Sequence, residues 1–318
     1  MTTHGFPNTL EEVREYLARE YPLKPPHSDP RVRLFQALDT LRSLVTSIRS
    51  WQTLEDLLLL LQAIGLEWKD WELQNLVRRL KAAVREEPSS TMLWALQAQA
   101  PEAPPTRSHL QQSILEAIQE LWSDLEDWQA NINEQATQQL QDGLVVLTVA
   151  DDRTIASFLQ AAAKKRQLRV VLVGKSSTIP GLEAVECIGE TAVFAYMSRV
   201  DKVLLPARAV LANGGLVSGP GTHAMALAAH AHAVPVLGVA GVSQLRSIYP
   251  HQGSETMNEW LAPQMDYGKL ARHTSVHWVQ PRYDYIAPEW IRLYITNVGA
   301  YPPSFIYRLL AEYYPEER

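Results

Sequence analysis

Along the first ~140 positions, apolar residues recur at steps of three and four, the spacing that gives a helix one buried face. Leu34, Leu38, Leu41, Val45 and Ile48 make the first clear stripe. Thr53 is placed to cap a second helix, with Glu55 and Asp56 in the turn where carboxylates suit the positive end of the helix dipole, and Gly65 to end it. A third stripe, Leu73, Val77, Leu80 and Val84, stops before Pro88. A short helix is also expected near Asn8–Arg19, followed by a linker at Tyr21–Pro30, which carries four prolines. A second proline cluster, Pro101–Pro105, precedes the longest pattern: Leu110, Ile114, Ile118, Leu121, Leu125, Trp128, Ile132, Ala136 and Leu140. Its mean step of about 3.75 residues fits one continuous helical face, ended by Gly143. A coiled coil is the rival, but the drift from 3.5 and the extra apolar Leu115 and Trp122 favour a helix packed on a domain.

After Gly143 the period changes. Leu144–Val149, Leu168–Val173, Lys202–Leu205 and Val234–Val239 are short β-rich runs without alternation. Helical patterns separate them at Arg153–Lys165, Phe194–Val200 and Thr222–Ala233. Strands apolar on both sides, separated by helices, predict a parallel sheet covered on both faces. Ser275–Val279 and Ile291–Thr296 read as further strands, and Ser304–Tyr313 as a final helix. The polar stretch Ser243–Thr274 has no period and reads as an irregular insertion. The expected fold class is therefore α/β: an N-terminal helical domain over residues 1–142, partly irregular over 1–30, and a Rossmann-like parallel-sheet domain over 143–318.

Composition narrows the function classes. The net charge of −6 offers no basic face for a phosphate backbone, so direct nucleic-acid binding is not expected. The single cysteine, Cys187, rules out an intrachain disulfide and points to a reducing compartment. No secretory signal pattern appears in Met1–Arg14, and the longest apolar run, Leu57–Leu61, is far short of the ~20 residues of a membrane span. A cytoplasmic protein away from membranes is the expectation.

Candidate chemistry is sparse. Val171–Ser177 contains Gly-Lys-Ser but has Arg169 where a P-loop needs its first glycine, so a strand-to-loop transition is the better reading. Asn213–Thr222 is a glycine-rich stretch running into a helix. Exposed amides at a helix start favour an anion, and a flexible structural turn is the alternative. Asn213, Gly214, Gly219, Gly221 and Thr222 are the candidate anion-loop residues. His223, His230 and His232 do not make a metal site, because positions 230 and 232 point about 200° apart on a helix. No cofactor or metal is expected.

Phe194–Leu205, Val210–Gly214 and Gly221–Thr222 resemble a family with two branches. One holds the alpha, beta and delta subunits of the eukaryotic exchange factor for translation initiation factor 2. The other holds methylthioribose-1-phosphate and ribose-1,5-bisphosphate isomerases. Tyr283–Ile291, Ile295–Gly299 and Pro303–Leu310 are similar to the beta branch, as are Trp51–Leu57 and Asn75–Leu80. The resemblance covers about residues 30–318. It implies a non-catalytic regulatory subunit of a guanine-nucleotide exchange complex. The implied partners are delta, gamma, alpha and epsilon subunits, together with initiation factor 2, whose alpha-subunit phosphorylation the complex senses.

The departures from the isomerases point the same way. Where those enzymes carry a cysteine after the first strand of the α/β domain, this chain has Ala150; where they carry an aspartate, it has Arg208. Alanine has no proton to move and arginine keeps its own, so an acid–base role worth roughly 10²–10⁴-fold is lost at each position. An active sugar-phosphate isomerase is the alternative. The chain is also short between Pro180 and Glu190, where relatives carry a helix and a strand, so that sheet edge is expected to be pared down or rebuilt. Tyr283, Tyr285, Trp290, Ile306 and Tyr307 are the candidate subunit-interface residues, with ordinary core packing as the competing role of each.

Overall fold

The computed structural model describes residues 30–47, 72–82, 107–150, 152–174, 178–182, 184–250 and 283–314. They fall into two compact units: the described residues up to Trp128 with those from Ala311 onward, and Gln129–Leu310. The expected elements at Asn8–Arg19, Thr53–Gly65 and Ser275–Val279, the proline clusters apart from Pro30, and most of the Ser243–Thr274 stretch lie outside the described residues.

The first unit is helical. Helix α1 spans Pro30–Ser47, α2 spans 72–82, and α3 spans Arg107–Glu134, of which the part through Trp128 belongs here. The predicted stripes become its core. Leu34, Leu38, Leu41 and Val45 of α1, Leu73, Val77 and Leu80 of α2, and Ile114, Ile118, Leu121 and Leu125 of α3 are all buried in one cluster. Each fully buried leucine contributes on the order of 2 kcal/mol relative to exposure. Phe35 and Trp122 pack at its margin, ring centroids 5.0 Å apart. A buried Arg33–Glu72 ion pair at 3.1 Å joins α1 to α2. The exposed Arg79–Asp124 pair at 2.8 Å joins α2 to α3 and is worth less than about 1 kcal/mol.

The second unit is built on a seven-stranded sheet in the order β11-β10-β7-β4-β1-β2-β3. The strands are β1 Val145–Val149, β2 Arg169–Val173, β3 Val185–Ile188, β4 Lys202–Pro206, β7 Val236–Val239, β10 Leu293–Thr296 and β11 Gly299–Tyr301. All neighbours are parallel except β10 and β11, an antiparallel edge hairpin that hydrophobic pattern alone does not reveal. The central strands are buried along nearly their whole length, hence the missing alternation. After α3, one further helical turn, α4 (Ala136–Gln139), precedes β1, so the predicted continuous helix breaks at Gln135 and ends at Leu140, short of Gly143. Even so, Ile132, Ala136 and Leu140 keep the seam and are fully buried. Helix α5 (Arg153–Ala163) links β1 to β2, with Asp152 capping the Ile155 amide. Helix α6 (Val193–Tyr196) is a single turn running into a 3-10 turn at Met197–Arg199, and α7 spans Thr222–Ala231.

The segment after Pro180 keeps its strand. β3 pairs with β2 in register, Val171 opposite Glu186 and Leu172 opposite Cys187. No helix precedes it among the described residues of that connection.

A second sheet, β8-β5-β6-β9, was not foreseen. It comprises β5 Ala209–Leu211, β6 Leu216–Ser218, β8 Leu245–Arg246 and β9 Asp284–Ile286. Its strands are two or three residues long, too short for a periodic signal. β8 also gives the start of the supposed irregular insertion a regular structure. The last described element is α8 (Ile306–Tyr313).

Tyr294 of β10 ties the two sheets together. Its ring is fully buried and lies where a Cβ on Gly238 would come within 2.6 Å of it, so β7 has glycine there. Its hydroxyl donates to the Gly214 carbonyl at 2.8 Å, in the turn between β5 and β6. Gly214 in turn has φ +81° and its backbone abuts the Pro303 carbonyl, which a Cβ would approach to 2.4 Å. Desolvation holds the Tyr294 phenol well above its ordinary ionisation range, so it stays a donor.

Tyr294→Phe should leave a buried carbonyl without its donor and cost about 1–3 kcal/mol in chemical denaturation. Gly238→Ala should cost a similar amount by crowding the ring. The folded phenol titrates above the unfolded value near pH 10. Its stabilising contribution is therefore complete below pH ~10 and lost as pH rises beyond it. The stability gap between the parent protein and Tyr294→Phe should narrow above that pH in a denaturation series; a gap that stays constant would refute the assignment.

Candidate functional site

Strand order places the site. From β1 the chain runs outward through β2 to β3, whereas β4, β7 and β10 lie on the opposite side of β1. The reversal falls between β1 and β4, and ligand crevices in such sheets open beyond the carboxyl ends of the strands at that point. A cavity of about 340 Å³ lies there. Val149 and Ala150 at the end of β1, Val173 and Gly174 at the end of β2, and Pro206 of β4 line it from the sheet side. Glu190 and Val193, Gly219–Thr222, and Ala224 and Met225 of α7 complete the lining.

The expected site residues separate. Ala150 lines the cavity, as do Gly219, Gly221 and Thr222. Asn213 and Gly214 do not. The stretch Asn213–Thr222 is not one loop, because β6 occupies Leu216–Ser218, pairing with β5 on one side and β9 on the other. Asn213 shapes the β5–β6 turn instead, accepting from the Gly215 amide at 3.0 Å and donating to the Tyr285 hydroxyl at 2.8 Å. Arg208 is not part of the lining; it sits half-buried between β4 and β5, its amide donating to Val217 O at 2.8 Å.

The amino end of α7 is already engaged by the protein. One carboxylate oxygen of Asp284, on β9, accepts from the Gly221 amide at 2.7 Å and the His223 amide at 3.0 Å. The Thr222 hydroxyl donates to Gly219 O at 2.6 Å. The charge complements the positive end of the helix dipole. Sequence reading missed Asp284, which stands about sixty residues away with no local pattern to mark it, and Glu190, which follows Gly189 in an irregular stretch.

The histidines meet aromatic rings rather than a metal. His223 lies edge-on to Trp290 with centroids 5.1 Å apart, and His230 stacks on the same indole at 6.0 Å. His223 Nδ1 donates to the Tyr285 carbonyl at 2.8 Å. His232 meets Phe194 edge-on at 5.1 Å. Among the described residues no group of three or more potential ligands could hold a metal ion. No helix of those residues is long and apolar enough to cross a membrane.

The interface candidates divide as well. Tyr307 is 60% exposed and Tyr285 36%, and Tyr283 and Trp290 are half-buried. Ile306 is fully buried and so is no surface residue: it stands on the inward face of α8 with Leu309 and Leu310. Sequence reading passed over Phe194, 61% exposed, and Leu227, 48% exposed. Leu227 lies on the α7 face that also carries His223 and His230.

The fold defines a doubly wound α/β protein with a cavity at the switch point of its sheet, and comparison with known proteins refines this. The chain matches the Initiation factor 2 subunit family over residues 32–303, and it belongs to that family. It is 36% identical over 221 residues to translation initiation factor eIF2B subunit beta of Dictyostelium discoideum, covering 66% of this chain and 57% of that one. It is 33% identical over 218 residues to the beta subunit of Schizosaccharomyces pombe, covering 63% and 54%. The chain thus spans a little over half the length of these relatives. Its fold is similar to a chain of the tetrameric eIF2B beta–delta complex of Chaetomium thermophilum, with a TM-score of 0.71, 24% identity and 96% of each chain covered.

Replacing Asp284 with alanine should strip two amides of their acceptor and destabilise the protein by about 1–3 kcal/mol, with Asp284→Asn costing less. Equal stability of the parent and both variants in urea unfolding would show that the cap carries no weight.

Proposed function

We propose that this chain is a non-catalytic, regulatory subunit of a guanine-nucleotide exchange complex that acts on translation initiation factor 2. The observation that carries this reading is Ala150 at the head of the switch-point cavity, where an isomerase of this scaffold would need an ionisable group. Glu190 is the one titratable residue among the described lining residues. Moving a proton between adjacent carbons of a sugar needs a tuned acid and base held on the substrate, and the described lining offers one exposed carboxylate for both tasks. The likeness to beta subunits supports the same reading.

The partners follow from that likeness. A delta-like chain is the first, by analogy with the Chaetomium complex, and gamma, alpha and epsilon chains belong to the wider assembly. Initiation factor 2 is the client, with its alpha-subunit phosphorylation as the sensed state, and the cytoplasm is the setting. We assign the helical part to residues 1–142 and the α/β part to 143–318. The pairing surface we favour is the α7 face, where Leu227, Trp290 and Tyr285 stand together, with Phe194 beside His232. Exposed aromatic and aliphatic anchors of this kind suit an interface core.

Tagged chain recovered from its native cell should bring down a delta-like and a gamma-like chain, identified by mass. Leu227→Asp or Phe194→Glu should reduce the recovered partner by tenfold or more, since losing one anchor costs about 2 kcal/mol, while the thermal midpoint of the isolated chain stays unchanged. Undiminished recovery with both variants would move the interface elsewhere, and no delta-like chain at all would end the subunit reading. Purified protein should not turn over methylthioribose-1-phosphate; turnover would restore the isomerase alternative.

A further inference from the structure

The cavity at the sheet's switch point remains open although its chemistry has changed. We propose that it receives a small molecule with an apolar body and a cationic amine head, a different ligand class from a sugar phosphate. The inference does not depend on how the chain assembles with others.

Three observations carry it. The walls are apolar: Val149, Val173, Val193, Pro206 and Met225 face a space of about 340 Å³, the size of a small-molecule pocket. Among the described lining residues, five donors that could greet an anion are engaged within the protein. Gly221 N is held by Asp284, the Thr222 hydroxyl and amide by Gly219 O, Ala150 N by Val173 O at 3.0 Å, and Gly174 N by Ile188 O at 3.1 Å. A phosphate that took these donors would have to break these bonds one for one. The third observation is Glu190, the only charged group among the described lining residues, whose carboxylate no described residue engages. A free carboxylate above an apolar floor repels an anion and attracts an ammonium group that can donate to it. Glu190 is exposed, so the attraction is modest and sets selectivity rather than affinity.

Binding to the full chain can be measured by ligand-detected NMR with benzylamine, benzyl alcohol, ribose-5-phosphate and inorganic phosphate at matched ionic strength. Benzylamine should bind about threefold more tightly than benzyl alcohol, and neither phosphate should bind. Glu190→Gln should abolish the amine's advantage and leave benzyl alcohol unchanged, and the exposed position makes this variant safe for folding. Ala150→Leu, which fills the cavity, should remove binding of both aromatic probes, with the folded state checked by circular dichroism. Tighter binding of ribose-5-phosphate than of benzylamine would overturn the proposal. So would an amine preference that survives Glu190→Gln, or the failure of both aromatic probes to bind at millimolar concentration.

Discussion

The α/β unit depends on a phenol buried where two sheets meet. Tyr294 stands on β10 of the large sheet, covers Gly238 of β7, and donates to the backbone of the β5–β6 turn. The small sheet has too few residues to hold itself, because two- and three-residue strands bring few ladder bonds. It is held by side chains on and beside it that reach to the large sheet and its connections. Ser218 donates to Pro206 O at 2.6 Å, Gln244 donates to Ala207 O at 2.8 Å, and Asp284 engages α7. Tyr294, fully buried, joins the Gln244 bond in tying the sheets together within the core. Because the turn it grips leads through β6 into Gly219–Thr222, it also helps fix one wall of the cavity.

How much was legible in the sequence follows from which forces are local. The helical stripes of α1, α2 and α3 and the apolar runs of β1, β2, β4 and β7 were readable, because burial imposes a period on a long enough segment. Leu38 and Ile132 are buried where that period puts them. The small sheet was not readable: β5, β6 and β9 are each three residues long, and no period can be counted over three positions. Asn213–Thr222 looked like one loop because its glycines are visible and the pairing partners of Leu216–Ser218 are not. One partner is β5, a few residues before, and the other is β9, about seventy residues on. Gly214 and Gly238 are explained by atoms of Pro303 and Tyr294, again distant in sequence.

The site shows the same division. Ala150, singled out through the resemblance to the isomerases, lines the cavity, whereas Arg208, only two residues past β4, turns out of the lining. Ile306 looked like an interface residue among its aromatic neighbours, yet α8 turns it inward with Leu309 and Leu310. Phe194 and Leu227 were overlooked because a single exposed apolar residue carries no pattern. What marks them is their company on one surface, the rings of His232 and Trp290, and that is a property of the fold.

The two rims of the large sheet are finished differently. One closes with the reversed strand β11, and the other ends in β3, a four-residue strand whose middle residues, Glu186 and Cys187, face solvent. A short rim strand bearing a carboxylate is a poor template for another strand, since adding one would confine that charge against a neighbour. The sheet is thereby guarded against growing sideways into fibrous stacks.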